Sequence, residues 1–172
     1  NDPRKFGFID LSKTKEIYKK YYILQLGMDA LDKNLNVEYL QSKISKSIVP
    51  IKQILLNQRI IAGIGNIYAN EILYDAKISP FVKGCSLNLI KIKRIIISIK
   101  KILKIAINSG GSTLKDYVSA DGTLGNFQNK FKVYNREGKK ILGHKIRRKI
   151  QYGRSTFYCP EVQLLKKNKK IE

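Results

Sequence analysis

Cysteine is scarce in this chain of 172 residues. There are two, Cys85 and Cys159, far apart in the sequence. That excludes a disulfide framework and fits a reducing compartment. No run of about 18 uncharged apolar residues occurs, and the N-terminus lacks the charged, apolar and small-residue layout of a signal peptide, so neither a membrane span nor secretion is predicted. The cytoplasm is the expected location. Acidic residues are few as well: 13 Asp and Glu stand against 34 Lys and Arg, a formal charge of +21. Lys, Ile and Asn are abundant throughout, which a biased composition alone could produce. An excess this large nevertheless makes a polyanion the leading partner, because neutralising phosphates releases condensed counterions and drives association. Nucleic acid ranks ahead of a membrane surface. Met28 is the only methionine and Asn1 the first residue, so the numbering does not begin at an ordinary start codon.

The length suits one average domain or two small ones, each able to bury some core. The opening "NDPRKFGFIDLSK" follows an Asp-Pro turn signal with Phe6, Phe8 and Leu11, and predicts a short strand at the end of a sheet. Asn36 in "NVEYLQSKIS" is a candidate N-cap. Pro50 in "PIKQILLNQ" sits at a favoured first helical position, with Ile51, Ile54 and Leu55 on one side. "IYANEILYDAKI" supplies a third short helix, closed by Pro80.

Between the second and third helices lies "AGIGN". Gly63 and Gly65 allow a tight turn and close approach of a ligand, and Asn66 is the predicted N-cap of the helix that follows. Phosphate is the usual guest at such a site. A dinucleotide fingerprint is excluded, because G-x-G-x-x-G requires glycine where the chain has Tyr68.

The strongest helix signal is "SLNLIKIKRIIISIKKILKIAINSGG". Ile92, Ile95, Ile96, Ile99, Leu103 and Ala106 recur at helical spacing, with Ser86 as the expected cap and Gly110 or Gly111 as the end. The stripe reads as core packing rather than a membrane-lying face. Beyond Gly111 the texture is loop, broken by Gly122 and Gly125. "NKFKVYNREGKKI" and "KIRRKIQYGRSTFYC" then read as β segments, with ten Lys or Arg from Lys130 to Arg154 and Glu137 as the lone acid. The tail after Gln163 is polar and expected to fray.

Four blocks, "DPRKFG", "AGIGNIYANEILYDAKISP", "GGSTLKDYVSADGTLGNFQNKFKVYNREG" and "GRSTFYCP", resemble in order and spacing the formamidopyrimidine-DNA glycosylase family of bacterial base-excision repair. The resemblance implies an α+β chain: a short strand remnant of an N-terminal β-sandwich, a helix-two-turn-helix domain and a C-terminal β-hairpin finger. The implied divisions are residues 1–30, 31–126 with a lesion loop, 127–163 as the finger, and a basic tail over 164–172. It also implies a monomer on damaged double-stranded DNA that excises oxidised purines (formamidopyrimidine, 8-oxoguanine) and cleaves abasic sites.

Residue roles follow from the same resemblance. Lys52 and Asn66, with Gly65 beside it, match positions that hold phosphates flanking the damaged nucleotide, which suits a point charge and an amide at a helix N-terminus. Arg4 and Phe6 match the pair inserted into the duplex, a guanidinium for the orphaned base and an aromatic wedge for the gap. Extruding a base requires both devices. The loop from Ser112 to Gly125 matches the lid over the flipped base. Arg154 matches the finger arginine that contacts DNA and assists elimination, the one catalytic role assigned within the chain.

The pattern breaks in two places. The family's finger usually carries one structural zinc on four cysteines, but here Ile141 stands at the first ligand position, Leu142 or His144 at the second and Val162 at the fourth, leaving at best His144 and Cys159. Two ligands cannot close a tetrahedral site, so no metal is expected and His144 is read as an exposed hairpin residue. The family's nucleophile, an N-terminal proline amine followed by a glutamate, would lie upstream of "DPRKFG", and Asn1 offers only a primary amine. The expected function is therefore the DNA-gripping C-terminal two thirds of a glycosylase, with a catalytically inactive damaged-DNA-binding remnant as the alternative. A basic ribosomal or RNA-binding protein would explain the charge but none of the four blocks.

Overall fold

The structure, a computed structural model, describes residues 7–112 and 125–164. Arg4, Phe6, the interior of the expected lid and the basic tail lie outside the described residues. Helices form the larger part: α1 (Tyr21–Leu24), α2 (Val37–Ile44), α3 (Ile51–Leu56), α4 (Asn66–Asp75) and α5 (Leu89–Asn108). A short parallel pair, β1 (Met28–Asp29) and β2 (Ile61–Ala62), ties the entry to α2 against the turn before α4. Two antiparallel hairpins follow, β3 (Lys140–Ile141) with β4 (His144–Lys145), and β5 (Arg147–Gln151) with β6 (Arg154–Tyr158).

Caps decide where the helices start. Asn36 has extended backbone and its side chain accepts the Tyr39 N–H at 2.8 Å, as its sequence position predicts. Asn88, not Ser86, caps α5, accepting the Lys91 N–H at 3.0 Å; Ser86 is held in a 3-10 turn over Gly84–Ser86. Pro50 falls one residue earlier than expected and precedes α3. α5 ends on Gly110 and Gly111, both at positive φ, with the Gly111 N–H returning to the Ala106 carbonyl at 2.9 Å.

The predicted stripe of α5 is buried without exception, packed on α2, α4 and the aromatic pair Phe127 and Phe131. Burying each such isoleucine contributes about 1.5–3 kcal/mol, so this layer is the main stabiliser of the chain. A second, much smaller cluster of Val133, Ile146 and Phe157 lies under the hairpins.

Two expectations change. Residues 7–13, the described part of the opening, lie in neither helix nor strand, and a strand needs a partner. "NKFKVYNREGKKI" is not a β segment apart from Lys140–Ile141: a 3-10 turn covers Phe127–Lys130 and turns follow. Phe131 and Val133 are buried as their apolar character predicts, but the backbone around them finds its acceptors on a side chain, as described below. Both hairpins close through two-residue turns, Leu142-Gly143 and Tyr152-Gly153, with φ of 49° and 81° in the first and 49° and 71° in the second. These angles are those of type I′ turns, whose twist matches paired strands.

Candidate nucleic-acid interface

The turn "GIG" delivers α4 to the surface with its N-terminus open. Gly63 has φ +92°, a conformation that L side chains rarely adopt, so glycine is required there by the backbone. Gly65 has ordinary extended φ and is the residue before the helix; a Cβ added to it would meet nothing within 4 Å. Asn66 is thus the first residue of α4 rather than its N-cap. No side chain caps this helix, and its first backbone bond runs from the Ala69 N–H to the Gly65 carbonyl at 2.9 Å. The earlier N–H groups have no helical acceptor and concentrate partial positive charge there.

Three side chains converge on the same end. Lys52, in the first turn of α3, has no exposed surface. Its Nζ donates to the Ser155 carbonyl at 2.9 Å and to the Thr156 hydroxyl at 2.8 Å. Burial, and then the guanidinium of Arg154, pull its pKa down to about 8. Asn66 Nδ2 donates to the same Ser155 carbonyl at 3.2 Å, while its buried Oδ1 has no partner. Arg154 opens β6, opposite Gln151 and next to the hairpin tip, with its side chain in solvent. The structure therefore brings Lys52, Gly65, Asn66 and Arg154 together. It puts Lys52 behind the surface rather than on it.

Polar residues that the sequence did not single out join the helices to the finger. Glu71 is buried, and its carboxylate accepts the N–H groups of Lys132, Val133 and Tyr134 at 2.8–2.9 Å. Burial pushes its pKa up against the pull of those three donors. Asn70 Oδ1 accepts the Phe157 N–H at 2.7 Å. Gln163 accepts the Cys159 N–H at 2.8 Å and donates to the Ile78 carbonyl at 2.9 Å. The available signal was a helix in which Asn70 and Glu71 sit beside apolar Ala69, Ile72 and Leu73, so that α4 is buried on nearly every side.

The residues at the finger's metal positions do not fit a zinc ion. Ile141 packs against the Val133, Ile146 and Phe157 cluster, His144 is exposed on β4 as expected, and Cys159 is a buried free thiol. Among the described residues no group of three or more His, Cys, Asp or Glu could hold a metal.

Comparison with known proteins identifies the family. The family model described as the formamidopyrimidine-DNA glycosylase H2TH domain matches residues 26–118. The chain is 49% identical over 163 residues to the formamidopyrimidine-DNA glycosylase of Zymomonas mobilis, covering 94% of this chain and 60% of that protein. Among solved structures it resembles the MutM (Fpg) protein of Thermus thermophilus, with TM-score 0.83 and 36% identity over 94% of this chain and 62% of the other. It also resembles the Lactococcus lactis Fpg in complex with DNA containing an abasic site, with TM-score 0.81 and 34% identity over 88% and 56%. The chain spans about 60% of the length of the curated relatives it matches. On the H2TH match, which covers more than half of its residues, the chain belongs to the formamidopyrimidine-DNA glycosylase family.

Proposed function

We propose that this chain grips damaged double-stranded DNA as part of a glycosylase that excises oxidised purines, with abasic-site lyase activity in the complete enzyme. The observation that supports the reading is the gathering of donors at the uncapped end of α4: its first N–H groups, the Asn66 amide, the Lys52 ammonium and the Arg154 guanidinium. None of these side chains is in an ion pair among the described residues. A backbone phosphate is the anion that suits such an end, and it positions the strand without reading sequence.

Gly65 lets that phosphate approach the helix closely. Lys52 holds the Ser155 carbonyl, whose negative end would otherwise face the anion, and adds its charge from behind. Arg154, exposed at the start of β6, contacts the strand beside the lesion and stabilises charge that develops on the departing phosphate during elimination. Arg4 and Phe6 complete the grip by replacing the extruded base, and the segment around 112–125 covers it.

The attacking amine implied by the family, an N-terminal proline, is not among these 172 residues. Borohydride trapping on duplex DNA carrying 8-oxoguanine tests the reading. The 172-residue chain binds this duplex more tightly than undamaged DNA and yields no covalent adduct. Fused behind a segment beginning "PELPE", it yields one. Binding without an adduct in the fusion leaves the grip-only alternative, and equal affinity for damaged and undamaged duplex sinks both.

A further inference from the structure

In a hairpin closed by a two-residue turn, residues alternate between those that bond across the pair and those whose N–H and C=O point to the outer edge. Gln151 and Arg154 flank the turn, so Ser155 and Phe157 present their backbone outward from β6. α4 occupies that edge. Asn66 donates to the Ser155 carbonyl and Asn70 accepts the Phe157 N–H. The spacings agree: residues four apart on a helix rise about 6 Å, and residues two apart on a strand rise about 6.6 Å. Side chains of one helical face thus stand where the backbone of a third strand would be. Asn70 cannot turn over, because its Nδ2 donates to the Asn66 carbonyl at 2.6 Å and commits its oxygen to Phe157.

We propose that Asn70 is a positioning residue: together with Asn66 it locks β6 in register against α4, and so sets Arg154 at a fixed distance from the open helix end. A slip of β6 by one residue would present inward-bonded Thr156 to the amides and turn every side chain of β6 over. The apolar cluster under the finger is small, with Val133, Ile146 and Phe157 buried in it, so these polar contacts carry much of the register. The proposal rests on the DNA-gripping reading above, in which Arg154 contacts a phosphate.

The test uses the 172-residue chain and a duplex carrying 8-oxoguanine, with affinity followed by fluorescence anisotropy across a salt series. Removing one phosphate contact lowers the slope of log K against log salt by about 0.9. Arg154→Ala is expected to show that loss, with affinity down about tenfold. Asn70→Leu is expected to show the same loss of slope, to expose the Phe157 amide to hydrogen exchange, and to add nothing further in the Arg154→Ala background. A merely destabilising substitution would leave the slope intact and combine additively with Arg154→Ala, and either result overturns the proposal. Should Asn70→Leu fail to fold, Asn70→Ser, whose hydroxyl falls short of β6, carries the same expectations. An unchanged slope in Arg154→Ala alone would instead remove the gripping role assigned to Arg154.

Discussion

The helical core and the finger are held together by opposite means. Around α4 and α5 a continuous apolar cluster from Ala30 to Phe131 does the work, and its members need only be apolar and of suitable volume. The finger has only a small apolar cluster of its own, around Val133, Ile146 and Phe157, and depends as well on Glu71, Asn70, Asn66 and Lys52, whose polar atoms reach its backbone directly. Apolar packing tolerates small displacements, whereas a hydrogen bond fails within an ångström or so of its optimum. The core therefore supplies stability, and the polar seam supplies the placement of Arg154. The proposed grip on DNA needs both, because the phosphates of a duplex are fixed in place.

The largest break comes from the core. Ile95 is fully buried on α5, so Ile95→Ala should cost about 3–4 kcal/mol and lower the denaturant midpoint of the whole chain together. Glu71→Leu should cost less, about 2–3 kcal/mol, because three backbone N–H groups lose their acceptor. Its effect should be local. Amide exchange should speed up at Lys132, Val133 and Tyr134 while α5 stays protected, and equal deprotection in both regions would erase the distinction drawn here.

That distinction also marks what was legible in the sequence. The stripe from Ile92 to Ala106 announces its buried face through local periodicity, and every predicted member lies in the core. The turns Leu142-Gly143 and Tyr152-Gly153 are equally local, each supplying the positive φ its hairpin needs, yet a single β segment was read through the second. Cap positions were displaced by one or two residues, since Asn66 and Ser86 have capping chemistry but Gly65 and Asn88 have the extended backbone from which capping proceeds. The polar seam was invisible. Glu71 finds its donors 61 to 63 residues away and Asn70 finds Phe157 at 87, and no local pattern records such pairings. The same gap explains why Phe131 and Val133 read as strand: their burial was evident, but not the carboxylate that takes the place of a neighbouring strand. Asn66 was marked by the glycines before it, whereas Lys52 was placed by family likeness alone and its burial was not foreseen.

Lys52 offers a sharper and smaller test of the seam. Its pKa in the folded chain, about 8, lies below the 10.5 of an ordinary lysine. Between those values the unfolded chain holds more protons than the folded one, so Lys52 makes stability rise with pH across that window, a contribution lost as pH falls through about 8. DNA binding should move the other way, weakening as pH rises through about 8 and the ammonium is lost. Lys52→Met should flatten both profiles. Parallel changes of stability and affinity with pH would place the titrating group elsewhere.

Metal removal should have the smallest effect of all. A zinc-held finger loses its fold with a chelator, because the binding energy of the ion is folding energy. Here the four candidate positions carry an isoleucine packed on Phe157 and its neighbours, an exposed leucine or histidine, a buried thiol and a valine. The strands are joined instead by I′ turns, and their outer edge is satisfied from α3 and α4. Treatment with EDTA should therefore leave the melting temperature and the affinity for 8-oxoguanine duplex unchanged, and elemental analysis should find no stoichiometric zinc. A chelator that released Arg154 from its register would show that an ion, and not the asparagines of α4, holds the finger.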